Sequence, residues 1–177
     1  MKYFCFALIL VAKNAFSIQI MERSSGGKGC PKALIKATPV NLSVGFKDFK
    51  VSASKRLQRK SCQIVLSLKI PKGQQVSLGD FTLSGEKNIH SASSFDFRME
   101  AFFAGAQGPK LSKKWKNKSN GPISLRYGQK NKSWSSCGQD VNVRFNLSLM
   151  LKSKKRSSDF GQLKTLKGKN WLSLRKC

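Results

Sequence analysis

The sequence is poor in acidic residues and in histidine. Among its 177 residues there are eight aspartates and glutamates and one histidine, His90, against 34 lysines and arginines. A single histidine excludes a multi-histidine metal site and leaves only one imidazole for acid–base chemistry. This shortage of titratable groups argues against most hydrolytic machinery. We therefore expect no cofactor and no metal ion.

Long apolar runs are also missing, apart from one short run at the start. Met1–Lys2 is a positive start, Tyr3–Ala12 is apolar, and Ala15-Phe16-Ser17 offers small residues at the −3 and −1 positions of a cleavage site. The apolar run is too short for a transmembrane helix. We predict a signal peptide over 1–17, a flexible lead-in over 18–29, and a protein that is secreted or held in the cell envelope, without a transmembrane segment.

Four cysteines remain beyond residue 17: Cys30, Cys62, Cys137 and Cys177. No two of them form a C-x-x-C pair and the one histidine is far away in sequence, which disfavours a zinc site. An even number of cysteines in an exported protein predicts two disulfides, and three pairings are possible. We favour Cys30–Cys137 with Cys62–Cys177, because this pairing would tie the chain ends to interior strands.

Apolar and polar side chains alternate along several segments. The clearest is Val141–Leu151, and Phe95–Phe103, Val40–Phe46 and Ile64–Ile70 repeat the pattern. A period of two over eleven residues is typical of a half-buried strand and is incompatible with an amphipathic helix. Seven or eight such strands predict an all-β fold, an antiparallel β-sandwich of immunoglobulin-like or jelly-roll-like order with two disulfides, formed as a single domain by residues 30–177.

Two lysine-rich segments interrupt the alternation, Lys110–Lys118 and Leu151–Lys169, and we expect both to be solvated, mobile loops. Trp115 lies among lysines in the first segment. Its ring is equally compatible with plain exposure and with stacking on a sugar or a base. The predicted polyanion-binding residues are Lys113, Lys114, Trp115, Lys116, Lys118, Lys152, Lys154, Lys155 and Arg156.

The excess of positive charge is the strongest functional signal in the sequence. Without residues 1–17 the net charge is still +24, and lysine outnumbers arginine by 26 to 8 over the whole chain. Flexible point charges suit diffuse attraction better than bidentate reading of bases. We predict a non-enzymatic protein that binds an anionic polysaccharide, lipid headgroups or another polyanion, with no specific nucleic acid. The alternative is that the charge only maintains solubility through self-repulsion.

Two other functions remain open. A secreted hydrolase of envelope polysaccharide would use carboxylates such as Asp96 and Glu100 beside a basic groove, with Asp80 or His90 converging on them. On one strand, Asp96 and Glu100 would have Cα atoms about 13 Å apart, too far for a carboxylate pair without help from another strand. The other alternative is a structural or colonisation-associated surface protein whose charge is incidental. The sequence does not predict the oligomeric state.

Short contexts around the cysteines carry a family resemblance. They are Gly29-Cys30-Pro31, Arg59-Lys60-Ser61-Cys62-Gln63, Trp134-Ser135-Ser136-Cys137-Gly138, and Trp171 shortly before Cys177. Together with the predicted signal peptide, they make the chain from Gly29 to Cys177 resemble the secreted family of unknown function DUF4360. The resemblance implies an exported, cysteine-bearing and β-rich protein. It carries over no catalytic residue, because the family has none established.

Overall fold

The computed structural model describes residues 17–90, 93–116, 118–128 and 132–177, so the predicted signal peptide lies almost wholly outside the described residues. All the regular secondary structure in these ranges is β-strand, and none of the ranges contains a helix long and apolar enough to cross a membrane. The strands are β1 (Gln19–Gly26), β2 (Leu34–Ala37), β3 (Asn41–Gly45), β4 (Lys50–Ser52), β5 (Leu57–Lys69), β6 (Gln74–Leu78), β7 (Phe81–Ile89), β8 (Ser93–Phe103), β9 (Lys110–Lys116), β10 (Ser119–Tyr127), β11 (Val141–Ser153), β12 (Phe160–Lys169) and β13 (Leu172–Lys176).

Two antiparallel sheets enclose the core. The five-stranded sheet has the order β1-β5-β11-β8-β9. The six-stranded sheet has the order β10-β7-β12-β3-β2, and β4 pairs with β12 beyond the end of β3. A small third sheet pairs β13 with β6. The predicted fold class, an all-β antiparallel sandwich with two disulfides, is confirmed.

The alternating pattern places one side of each central strand in the core. Phe97 on β8 and Phe145 on β11 are fully buried, and the polar residues between the apolar ones face solvent. Phe81 on β7 meets Phe145 edge-on, with 5.1 Å between ring centroids, and also contacts Trp171. The Trp171 indole N–H donates to the Thr38 carbonyl oxygen at 2.7 Å, so the one polar atom of this buried ring is satisfied.

The disulfides join Cys30 to Cys62 and Cys137 to Cys177, so the predicted pairing is wrong. β1 pairs with β5, which brings the residues that follow β1 beside the middle of β5, where Cys62 lies. β13 pairs with β6, and the segment that contains Cys137 hydrogen-bonds to the start of β6. Each disulfide therefore connects cysteines that neighbouring backbone pairing has already brought together.

Three segments predicted as irregular are strands. Residues 19–26, within the expected flexible lead-in 18–29, form edge strand β1 along β5. Lys110–Lys116 is edge strand β9, and Phe160–Lys169 is β12, which leaves only residues 154–159 of the second lysine-rich segment as a loop. Lysine is well tolerated on strands that expose one side to solvent, so the density of charge concealed the alternation.

Candidate functional site

The loops that follow β4, β7, β9 and β11 meet at one end of the sandwich. Lys116 at the end of β9 lies opposite Ser94, and Ser94 lies opposite Lys152 near the end of β11. With adjacent strands about 4.8 Å apart, the Cα atoms of Lys116 and Lys152 are about 10 Å apart. The Ser153 N–H donates to the Arg56 carbonyl oxygen at 2.9 Å, which brings the β4–β5 loop to the same end.

Basic residues that are distant in sequence therefore form one surface, which we call the basic end. Its eight exposed basic residues are Lys55, Arg56, Lys116, Lys118, Lys152, Lys154, Lys155 and Arg156. Among the described residues of these loops and strand ends, the one acid is Asp159, whose side chain is only 1% exposed. Six of the eight belong to the predicted polyanion-binding set. The predicted set does not include Lys55 and Arg56, because their place at this end depends on the contact of the β4–β5 loop with the end of β11.

Asp159 ties the loops of the basic end together. Its carboxylate accepts hydrogen bonds from the His90 backbone N–H and from the imidazole Nδ1, and its backbone carbonyl oxygen accepts from the Ala53 N–H. Burial raises the pKa of the Asp159 carboxyl, but hydrogen bonds from Ser93, His90 and Ser157 outweigh burial, so the pKa lies below its ordinary value. Asp159 and His90 thus act as a structural brace under the exposed cations.

Trp115 packs within the protein rather than standing free in a loop. Its half-buried ring stacks on Phe95, with 5.2 Å between centroids and 15° between the ring planes. The Lys87 ammonium lies 5.7 Å from the Trp115 centroid. Packing on Phe95 accounts for the position of the ring, and stacking of Trp115 on a ligand stays a prediction.

The other lysines of β9 differ in their surroundings. Lys114 faces outward on the five-stranded sheet and forms an ion pair with Asp96 at 3.6 Å. Lys113 is exposed, but it lies on the opposite face of β9 from Lys114, the same face as Trp115. The predicted set of nine residues is thus divided: six lie on the basic end, and Lys113, Lys114 and Trp115 have other surroundings.

A groove of about 620 Å³ crosses the outer face of the five-stranded sheet, between the turn after β1 and strand β9. Strand register arranges its floor in two rows of outward side chains. The first row is Gln63, Asn146, Glu100 and Lys110, and the second is Ser61, Ser148, Arg98 and Ser112. Sequence reasoning missed this site, although all eight residues occupy the polar positions of their strands.

The charged side chains of the groove are not paired with one another among the described residues. Within the described parts of the chain, no ion pair involves Glu100, Arg98 or Lys110. Arg59, at the margin of the groove, donates from Nε to the Ser148 hydroxyl at 3.1 Å. The groove therefore offers three cationic donors and one carboxylate, together with amides and hydroxyls.

The groups expected for a hydrolase do not converge. Asp80 pairs with Arg126 of β10 at 2.7 Å, on the other sheet, and His90 is bound to Asp159. Asp96 and Glu100 are four residues apart on β8, which separates their Cα atoms by about 13 Å. Residues 17–90, 93–116, 118–128 and 132–177 contain no cluster of three carboxylate, imidazole or thiol groups that could hold a metal ion.

Several solved structures are distantly similar to the chain. TmCBM61 in complex with beta-1,4-galactotriose has 10% identity and a TM-score of 0.36 over 88% of each chain. The Family 11 carbohydrate-binding module from Clostridium thermocellum, in complex with a beta-1,3-1,4-mixed-linked tetrasaccharide, has 12% identity and a TM-score of 0.20 over 85% of this chain and 94% of the other. The adhesin domain of Epf from Streptococcus pyogenes has 12% identity and a TM-score of 0.26 over 85% of this chain and half of the other.

No curated protein matches the chain. The model of the family described as a domain of unknown function, DUF4360, matches residues 16–177, nearly the whole sequence. The chain therefore belongs to the DUF4360 family.

Proposed function

We propose that the protein binds an anionic polysaccharide through its basic end. The observation that carries this proposal is the convergence of eight exposed basic residues from separate loops and strand ends, where the buried Asp159 is the one acid among the described residues. Like charges held this close repel one another, and a polymer of opposite sign removes that repulsion while releasing its counterions. Six of the eight are lysines, whose flexible ammonium groups follow an irregular anionic chain without requiring a fixed register.

The number of cations is sufficient for useful affinity. A lysine or arginine near an anionic surface contributes roughly 1 kcal/mol at physiological ionic strength. Eight such residues would supply about 5–8 kcal/mol, which corresponds to dissociation constants from about 0.2 mM down to about 1 µM. The same arithmetic predicts steep weakening by salt, because each contact is electrostatic.

The proposed location is outside the cytoplasm, in the cell envelope or in secreted form. Two disulfides are typical of an oxidising compartment. The predicted signal peptide points the same way, and an anionic envelope polysaccharide is the ligand that we propose for this location. Lipid headgroups and nucleic acid are the competing polyanions, and the experiment below includes both.

The test compares matched polymers across a salt series. Binding of the purified protein is measured to dextran sulfate, to uncharged dextran, to polygalacturonate, to vesicles with an anionic lipid, and to duplex DNA. We expect retention by the anionic polysaccharides at low ionic strength, loss of retention as salt is added, and no retention by dextran. Equal binding to dextran, or retention that salt does not change, would overturn the proposal, and so would exclusive binding to vesicles or to DNA.

Two charge-matched variants locate the binding surface. The basic-end variant combines Lys116→Gln, Lys152→Gln, Lys154→Gln and Lys155→Gln. The control variant combines Lys36→Gln, Lys47→Gln, Lys167→Gln and Lys169→Gln, all exposed positions on or beside the six-stranded sheet. Both lose the same net charge, so only a site at the basic end predicts that the first variant is the weaker binder.

A further inference from the structure

The groove on the five-stranded sheet is a second surface with the properties of a ligand site. Its volume of about 620 Å³ lies within the range of about 300–1,000 Å³ that is usual for small-ligand pockets. Four strands carry its floor, which spans about 14 Å from β5 to β9. Because these strands are hydrogen-bonded to their neighbours, the floor is rigid and its side chains have fixed spacing.

The chemistry of this floor favours a polyhydroxylated ligand over a peptide. A peptide that adds to a sheet needs free backbone groups at an edge strand, and three of the four strands of this floor, β5, β11 and β8, are paired on both sides, which leaves only β9 at an edge. The groove presents side-chain amides and hydroxyls instead, including Gln63, Asn146 and Ser112. Amides both donate and accept hydrogen bonds, which suits sugar hydroxyl groups that do the same.

The charges in the groove specify the ligand further. Lys110 on β9 lies directly opposite Glu100, Arg98 lies two residues before Glu100 on the same face of β8, and no ion pair occupies them within the described residues. The guanidinium fork of an arginine binds a carboxylate through two parallel hydrogen bonds. Three cations against one carboxylate, with Arg59 included, leave the groove with a net positive charge.

We propose that this groove binds a short stretch of a uronic-acid polysaccharide, with Arg98 and Lys110 on sugar carboxylates and with Asn146, Gln63 and Glu100 on hydroxyls. The inference rests on the proposed function for the class of polymer, and it adds a contact site that recognises individual sugars. The basic end attracts the chain of charges, and the groove orients the part of the polymer that reaches it.

The test uses a ligand too short to depend on the basic end. Binding of tetragalacturonate and of its methyl ester, which keeps the sugars and removes the charges, is measured by calorimetry at 0.15 M salt. We expect the acid to bind at least tenfold more tightly than the ester. Equal affinity for the two would overturn carboxylate recognition in the groove.

Variants assign the binding to the groove. Arg98→Gln and Lys110→Gln should each weaken tetragalacturonate binding by about tenfold, as loss of a charge-assisted hydrogen bond implies. Arg126→Gln on the other sheet is the matched control and should leave affinity within about twofold. Glu100→Gln keeps an acceptor for sugar hydroxyls and removes a charge that repels sugar carboxylates, so it should bind tetragalacturonate more tightly than the wild type. Unchanged affinity in both Arg98→Gln and Lys110→Gln would overturn the assignment.

The results distinguish a failure of the groove inference from a failure of the proposed function. The basic-end variant should retain tetramer affinity within about twofold while losing dextran sulfate. A wild-type protein that binds dextran sulfate but not the tetramer contradicts the groove inference and leaves the proposed function standing. A protein that binds the tetramer but no polymer, or that loses both through the basic-end variant alone, contradicts the division between the two surfaces.

Discussion

The basic end and the groove, the two surfaces proposed for binding, carry their charges in different ways. The basic end carries its charges on loops and strand ends, on exposed lysines and arginines that form no ion pair within the described residues. The groove carries its charges on β5, β8 and β9, in rows fixed by backbone register, and sets the one carboxylate of Glu100 among three cations. Charge on loops gives reach and long-range attraction without orientation, whereas strand rows give orientation over a short range. We therefore expect polymer binding at the basic end and oligosaccharide binding in the groove to be separable.

The largest effect should come from removing charge at the basic end. Loss of four cations at roughly 1 kcal/mol each weakens dextran sulfate binding by about 4 kcal/mol at low salt, or roughly a thousandfold. The Lys36/Lys47/Lys167/Lys169 control loses only the contribution of net charge and should weaken by less than about tenfold. Fluorescence titration of both variants checks this prediction. Equal losses would mean that charge acts without a preferred surface.

Removal of the Cys30–Cys62 disulfide should weaken binding at the groove and leave binding at the basic end unchanged. It is buried beside the groove, which Cys62 lines. Cys30→Ala with Cys62→Ala should lower the free energy of unfolding by about 2–5 kcal/mol and weaken tetragalacturonate binding, with dextran sulfate binding preserved in the folded fraction. Urea denaturation and calorimetry measure both. A loss of polymer binding in proportion to tetramer binding would contradict the separation of the two surfaces.

The Cys137–Cys177 disulfide provides the internal control for that result. Both of its cysteines are exposed, so mild reductant should open it before the buried pair. Removing it changes neither surface, because it lies at the small β6–β13 sheet. Mass spectrometry after partial reduction would identify which pair is alkylated first. Alkylation of Cys30 and Cys62 first would contradict the burial seen here.

Trp115 distinguishes support of the basic end from direct contact with a ligand. Because its ring stacks on Phe95, Trp115→Ala should lower the free energy of unfolding by about 2–4 kcal/mol. Affinity of the folded variant for dextran sulfate should remain within about threefold of the wild type. Chemical denaturation and titration of one preparation give both values. A large affinity loss with little loss of stability would instead support stacking of Trp115 on the ligand.

The smallest effect concerns Asp159, the brace under the basic end. The pKa of this carboxyl is lowered in the folded protein, so its contribution to stability is complete above the ordinary aspartate pKa and is lost as pH falls through the folded pKa. Asp159→Asn should lower the free energy of unfolding by about 1–3 kcal/mol at neutral pH. The variant should also lose less stability than the wild type as the pH is lowered. Unfolding free energies between pH 2 and pH 7 test this. A variant with the wild-type acid limb would show that other carboxyls produce it.

The strands of the core were predictable from sequence, and their partners were not. Alternation over Val141–Leu151 and Phe95–Phe103 depends on local chemistry, so it is visible in one chain. Strand β9 escaped prediction because Lys113 interrupts the apolar side that Leu111 and Trp115 mark. The disulfide pairing required knowledge that β1 lies on β5, a contact between distant segments.

The same division applies to the candidate sites. Lysine clusters are visible in composition, so six residues of the basic end were predicted. Their meeting with Lys55 and Arg56 depends on how four loops are brought to one end. The groove depends on register alone: a shift of one residue on β8 would turn Arg98 and Glu100 into the core. No local pattern in the sequence encodes that alignment.

The salt dependence of polymer binding tests the central claim most directly. The logarithm of the dextran sulfate binding constant is measured against the logarithm of salt concentration for three proteins: wild type, the basic-end variant and Arg98→Gln. If the released counterions belong to the basic end, its four substitutions should reduce the slope by about 3, at about 0.7–0.9 per cation, and Arg98→Gln should reduce it by less than about 1. A basic-end variant with the slope of the wild type would contradict the account.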